Sequence, residues 1–287
     1  MNKFKLVSLL AILLLATTAV NAQETAAKPA ITLERTACFG TCPVYTISIL
    51  EDGTVLYNGE NFVEVTGEQT SEIPPEMVAM MVEAFADAGY FEWDEAYDTQ
   101  TVSDLPTVIT SVTRSDETHR IVRYLGDTAP IALPYLELWI DEMTNSSLWT
   151  GVQADITSVS NGTDMPLVTL QRGPCYGACP VYDVALFEDG TIVYTGIANV
   201  DEIGVHVLEV EPASITSIVQ RAEASGYFEW QDSYEEFLIT DQPTVTTSIQ
   251  TADQYKRIVR YDGDPNAPIG LVRIEESIEM SVADLVG

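Results

Sequence analysis

Cys38-Phe39-Gly40-Thr41-Cys42-Pro43-Val44-Tyr45 returns as Cys175-Tyr176-Gly177-Ala178-Cys179-Pro180-Val181-Tyr182, a spacing of 137 (38 to 175). The same spacing carries Glu51-Asp52-Gly53-Thr54 onto Glu188-Asp189-Gly190-Thr191. It carries Gly89-Tyr90-Phe91-Glu92-Trp93 onto Gly226-Tyr227-Phe228-Glu229-Trp230, and Arg120-Ile121-Val122-Arg123-Tyr124 onto Arg257-Ile258-Val259-Arg260-Tyr261. A gap-free register preserves every strand and helix length, so the chain reads as two copies of one globular domain. The period is domain-sized and lies well above the range of solenoid repeats.

Outward from these motifs, residues 31–151 form the first repeat domain and 168–287 the second, joined by a linker over 152–167. That linker is rich in turn and polar residues, among them Ser158, Ser160, Asn161, Gly162 and Thr163. Residues 1–22 read as a secretory leader: Lys3 and Lys5, an apolar run from Leu6 to Ala16, and Val20-Asn21-Ala22 at the cleavage position. Residues 23–30 form a short N-terminal linker. The apolar run is short for a bilayer span, and no cysteine follows it to take a lipid. The expectation is an exported protein, periplasmic or secreted, with no membrane span.

The net charge is −31, and loss of Lys3 and Lys5 with the leader takes it to about −33. Lys28 and Lys256 are then the only lysines. This balance disfavours nucleic acid and anionic membranes; it fits a solvated acidic surface, and it suits solubility, a salty medium or a cationic partner, a protein or another envelope component.

Within the first copy, Tyr45, Ile47 and Ile49 alternate with Thr46 and Ser48, the pattern of a half-buried strand. Glu51-Asp52-Gly53-Thr54 is a hairpin turn, and Val55 and Tyr57 continue on the returning strand. Val63 and Val65 are read as the start of a third strand. Pro74-Pro75-Glu76 opens a helix in which Met77, Met81, Val82, Phe85 and Ala86 recur at helical spacing, and Gly89 ends it. Two strands follow, Val108 to Thr113 and Arg120 to Tyr124, then a helix carrying Leu133, Leu136, Leu138 and Ile140. The fold class is α+β: two tandem homologous domains in the order βββαββα, each an antiparallel sheet with two helices.

Cys38, Cys42, Cys175 and Cys179 admit three pairings. Local closure, Cys38 with Cys42 and Cys175 with Cys179, lets each domain complete its own bond in an oxidising compartment. The competing reading makes each pair a redox dithiol or a soft-metal (copper) site. The Cys-x-x-x-Cys-Pro loop is similar to that of copper-handling thioredoxin-like assembly factors. His119 and His206 align with Lys256 and Gln69, however, so neither copy repeats a histidine ligand, and a hairpin rather than a helix follows the cysteines.

A second repeated set is polar. Asp104 and Thr107 recur as Asp241 and Thr244, in an Asp-x-Pro-Thr turn that leads into a strand. Arg35, Arg120 and Arg123 recur as Arg172, Arg257 and Arg260, six of the nine arginines. In so acidic a chain such cations pair with particular carboxylates, Asp104 and Asp241 among the candidates. Along a strand, positions 120 and 123 face opposite ways, which argues against a compact two-arginine clamp. Tyr90, Phe91 and Trp93, with Tyr227, Phe228 and Trp230, cap the core after the first helix. The chain has no Gly-x-Ser-x-Gly elbow, His-Glu-x-x-His pair, EF-hand loop or Gly-rich phosphate loop. No catalytic residue, metal ligand or cofactor is assigned on this pattern, although carboxylate pairs assembled in space leave no motif.

Taken in order, Cys-x-Gly-x-Cys-Pro-x-Tyr, Asp-Gly-Thr-x-x-Tyr-x-Gly, Tyr-Phe, Asp-x-Pro-Thr and a late Pro-x-x-Leu helix resemble a bacterial family, domain of unknown function 6438. The resemblance covers both copies and implies a fold and export, with no catalytic residue. Pro268 stands one residue out of register with Pro130, which shifts the last helix of the second copy. The functional expectation is a non-catalytic binding or envelope-associated protein whose copies present two similar faces or one composite groove.

Overall fold

The computed structural model describes residues 27–99, 104–159, 164–236 and 241–287. The leader and the linker residues Ser160, Asn161, Gly162 and Thr163 lie outside them.

The first copy runs β1 (Pro29–Arg35), β2 (Val44–Leu50), β3 (Thr54–Asn61), β4 (Gly67–Glu72), α1 (Pro75–Asp87), β5 (Ala96–Tyr97), β6 (Thr107–Arg114), β7 (Glu117–Tyr124), α2 (Ala132–Met143) and α3 (Ser147–Thr150). The second runs β8 (Val168–Arg172), β9 (Val181–Leu186), β10 (Thr191–Ala198), β11 (Gly204–Glu209), α4 (Pro212–Ser225), β12 (Ser233–Tyr234), β13 (Thr244–Gln250), β14 (Tyr255–Tyr261), α5 (Ile269–Glu279) and α6 (Ala283–Val286). Each copy forms a seven-stranded sheet, ordered β4-β3-β2-β1-β6-β7-β5 and β11-β10-β9-β8-β13-β14-β12. All ladders are antiparallel except those of the two-residue strands β5 and β12, which run parallel to β7 and β14. The class is α+β, twice.

Sterics explain the glycine of each hairpin turn. Gly53 and Gly190 adopt φ of 91° and 100°, and a Cβ there would come within 2.1 and 2.2 Å of the carbonyl oxygens of Ile73 and Val210. Two details go beyond the sequence expectation. The central strand β1 carries only Ile31 and Leu33 as inward apolar residues, too short an alternation to stand out. The strand after β3 starts at Gly67, and Val63 and Val65 lie in the bend before it.

On β2 the alternation holds: Tyr45, Ile47 and Ile49 are buried while Thr46 and Ser48 are partly open. The equivalent strand β9 is buried along its whole length. Its outer face is covered by the other copy. Ala185, Phe187, Val193 and Val205 belong to the same apolar cluster as α1 and α2. Tyr135 on α2 meets Phe187 edge-to-face with centroids 6.5 Å apart. The layers therefore run sheet, α1/α2, sheet, α4/α5, and the first copy's helices are held between two sheets.

Candidate functional site

Both repeated motifs of the sequence meet at one end of each sheet. Cys38 and Cys42 form a disulfide with Cα atoms 5.7 Å apart, as do Cys175 and Cys179. The first loop is tied to the Asp-x-Pro-Thr turn by hydrogen bonds from the Phe39 amide to the Asp104 carbonyl (3.1 Å) and from the Thr36 amide to the Thr107 carbonyl (3.0 Å). In the second copy the Gly173 amide donates to the Thr244 carbonyl (2.9 Å). At the tips, Phe39 is 90% exposed and its counterpart Tyr176 is 87% exposed. A large aromatic in that position buries little of its surface against the described residues.

Beneath the loops lies a lattice of arginines and carboxylates. Its carboxylates are not those expected at the strand entrance. In the first copy Arg35 on β1 donates to Asp141 through Nε (3.1 Å) and Nη2 (2.7 Å). Asp141 also accepts from the Tyr45 hydroxyl (2.7 Å) and from Ser146 (2.8 Å). Arg123 on β7 grips Glu137 with Nε (2.9 Å) and Nη2, a pair whose side chains are 4% and 1% exposed. In the second copy Arg172 and Tyr182 both donate to Glu279, at 2.8 and 3.0 Å. Arg260 grips Glu275 through Nε (2.8 Å) and Nη2 (2.6 Å). Arg120 and Arg257, on the opposite strand face as expected, are exposed.

The lattice acids were missed because the final helix is shifted. At the spacing of 137, Glu137 and Asp141 fall on Ile274 and Ile278; displaced by the one residue seen at Pro268, they fall on Glu275 and Glu279. Both pairs are then acids four apart on one helix face. That shift was the available signal.

The electrostatics follow from burial. Burial works against the charge of Arg35, but Tyr45, Asp141 and Glu137 around it hold its pKa above the ordinary value. The Tyr45 and Tyr182 hydroxyls are pushed up by burial. Burial opposes the charge of Asp262 too, yet Arg260 and Arg172 keep its carboxyl below the usual range. Glu275 is raised, because burial outweighs the help of Arg260.

The two copies differ at one point of this lattice. Asp262 accepts from Arg260 Nη1 (2.9 Å) and from Arg172 (3.0 Å). The matching position of the first copy is Leu125. Among the described residues Arg123 Nη1, buried, has no hydrogen-bond partner. Beside it lies a cleft of about 300 Å³, whose wall includes the linker residues Val152, Gln153 and Ala154. The histidines lie in other surroundings: the His119 ring packs on Tyr90 at 5.5 Å and His206 on Tyr194 at 6.1 Å. Among the described residues no cluster of three or more His, Cys, Asp or Glu has the form of a metal site.

With this geometry in view, residues 29–144 and 166–282 each match the model of a domain of unknown function, DUF6438. The chain belongs to that family. It carries two DUF6438 copies in tandem, each with its own Cys-x-x-x-Cys disulfide. No curated protein matches the chain. Among the described residues no helix is long and apolar enough to cross a membrane.

Proposed function

We propose that this tandem DUF6438 protein is exported and acts as a non-catalytic binding module for a cationic protein or other envelope component. The observation that carries the reading is the matched pair of exposed aromatics, Phe39 and Tyr176, each on a loop closed by its own disulfide. A closed loop loses little freedom on association, so less of the contact energy is spent on ordering. Aromatic side chains are the commonest anchors of such contacts, and a cation over their face adds to the attraction. A net charge of −31 steers cationic partners toward the surface and repels anionic ones. Two similar tips on one chain raise avidity where a partner spans both. Lys3 and Lys5 ahead of the apolar run, with the two disulfides, support export.

The test uses immobilised wild-type protein and the double variant Phe39→Ser/Tyr176→Ser, challenged with an envelope extract and with an oligolysine peptide. Salt-sensitive retention by the wild type alone supports the reading; equal retention by both proteins sinks it. The thiol-exchange alternative is separated on the same material by titration with glutathione. Disulfides that open at mild potential favour exchange, and bonds that resist it favour a fixed scaffold.

A further inference from the structure

The second copy acts as an internal control for the first. In the second, every donor of the Arg260 guanidinium that the lattice reaches has an acceptor, because Asp262 takes Nη1. In the first, Glu137 takes Nε and Nη2 of Arg123, while Leu125 leaves Nη1 without one among the described residues. A buried donor of a charged group left unmatched is costly, and a native fold keeps it where something else supplies the acceptor. Arg123 and Leu125 both line the 300 Å³ cleft, so the direction that Asp262 occupies in the second copy leads into open space in the first. The linker residues Val152, Gln153 and Ala154 close one side of that space.

We propose that this cleft is a small-molecule site, distinct from the aromatic tips. Its ligand is uncharged and largely apolar, with one carbonyl-type oxygen that accepts from Arg123 Nη1. The volume lies at the lower end for small-ligand pockets, and Val108, Leu125, Leu138 and Val152 supply apolar walls. Charge selects a neutral acceptor over an anion. Arg35 and Arg123 are already matched by Asp141 and Glu137, and Asp155 adds a further acid to the wall. A carboxylate entering there meets no surplus of positive charge, whereas a carbonyl completes the guanidinium without adding charge.

The test titrates the intact protein with three probes of similar shape, acetophenone, ethylbenzene and benzoate, followed by amide and methyl NMR. The expected result is acetophenone binding with shifts centred on Val108, Leu125 and Leu138. Acetophenone should exceed ethylbenzene by about tenfold, the worth of one hydrogen bond to a charged group. Leu125→Asp, which installs the arrangement the second copy already folds around, should reduce acetophenone to the level of ethylbenzene. Equal binding of acetophenone and ethylbenzene to the wild type would remove the acceptor role. Tighter binding of benzoate would overturn the neutral class, and shifts confined to other surfaces, or no binding by any probe, would overturn the site. None of these outcomes bears on the tips, which the Phe39→Ser/Tyr176→Ser comparison tests separately.

Discussion

Glu137 sits at 1% exposure with its charge held by Arg123, so its worth is mostly the cost of removing one partner alone. Glu137→Leu should therefore destabilise the first copy by about 3–5 kcal/mol in urea unfolding. Adding Arg123→Met should recover most of that loss, because two apolar side chains leave no orphaned charge. Equal losses in the single and double variants would show that the pair does more than cancel itself. The disulfides act at the same scale with a smaller effect. Each closes a very short loop, so Cys38→Ser/Cys42→Ser should cost about 2 kcal/mol through the unfolded state, read as a shift of the urea midpoint.

The elements explain why the copies stack in one direction. On α2, Tyr135 and Trp139 face the second sheet, and α1 adds Ala84, which lies against Gly204. At the matching positions α5 has Arg273 and Ser277, and α4 has Arg221. The sheets differ in the complementary sense. Ser48, Leu56, Glu60 and Glu68 on the outer face of the first become Ala185, Val193, Ile197 and Val205 on the second. Among these matched positions the larger apolar set lies on the α1/α2 layer and on the second sheet, and those two are in contact. Trp139→Ala should cost about 3–5 kcal/mol, whereas Ser277→Ala, its counterpart on the open layer, should stay within about 0.5 kcal/mol. Urea midpoints of the two variants check this contrast.

At the scale of the whole molecule, the join between the copies gathers one buried acid and two half-buried ones. Asp183 on β9 is 4% exposed and faces Glu142 from the first copy and Asp155 from the linker, with Gln171 Nε2 at 3.4 Å and Tyr135 nearby. Burial, then the charge of Glu142, raises the Asp183 carboxyl well above its ordinary range. Burial pushes Glu142 up to about 7. Between the ordinary carboxylate range and that value the folded chain holds protons that the unfolded chain has released, so stability falls as pH rises through the window. The midpoint of thermal unfolding should drop between about pH 5 and pH 8, by an amount equivalent to roughly 2 kcal/mol, and Asp183→Asn should flatten the slope. Asp262 works in the opposite sense: its lowered pKa stabilises the second copy above the ordinary carboxylate range, and that contribution is lost on stronger acidification. A flat profile from pH 5 to 8 in the wild type would mean that water reaches the acid cluster.

Much of this could be read along the chain, because repetition, alternation and turn chemistry are local properties. The unbroken register pointed to two domains, the Tyr45-Ile47-Ile49 alternation to a strand and Gly53 to a hairpin, while of the three pairings open to the four cysteines the structure forms the two short closures. The partners of Arg35, Arg123, Arg172 and Arg260 were not legible in the same way. Each arginine meets a helix that follows much later in the sequence, and a one-residue slip concealed the repeat of its acids. Nor did periodicity show which sheet face would be covered, since a strand with both sides buried differs from a half-buried one through what arrives from elsewhere. Contact between distant segments also created the cleft beside Arg123: Leu125 is an ordinary apolar residue until folding sets it where the other copy has Asp262.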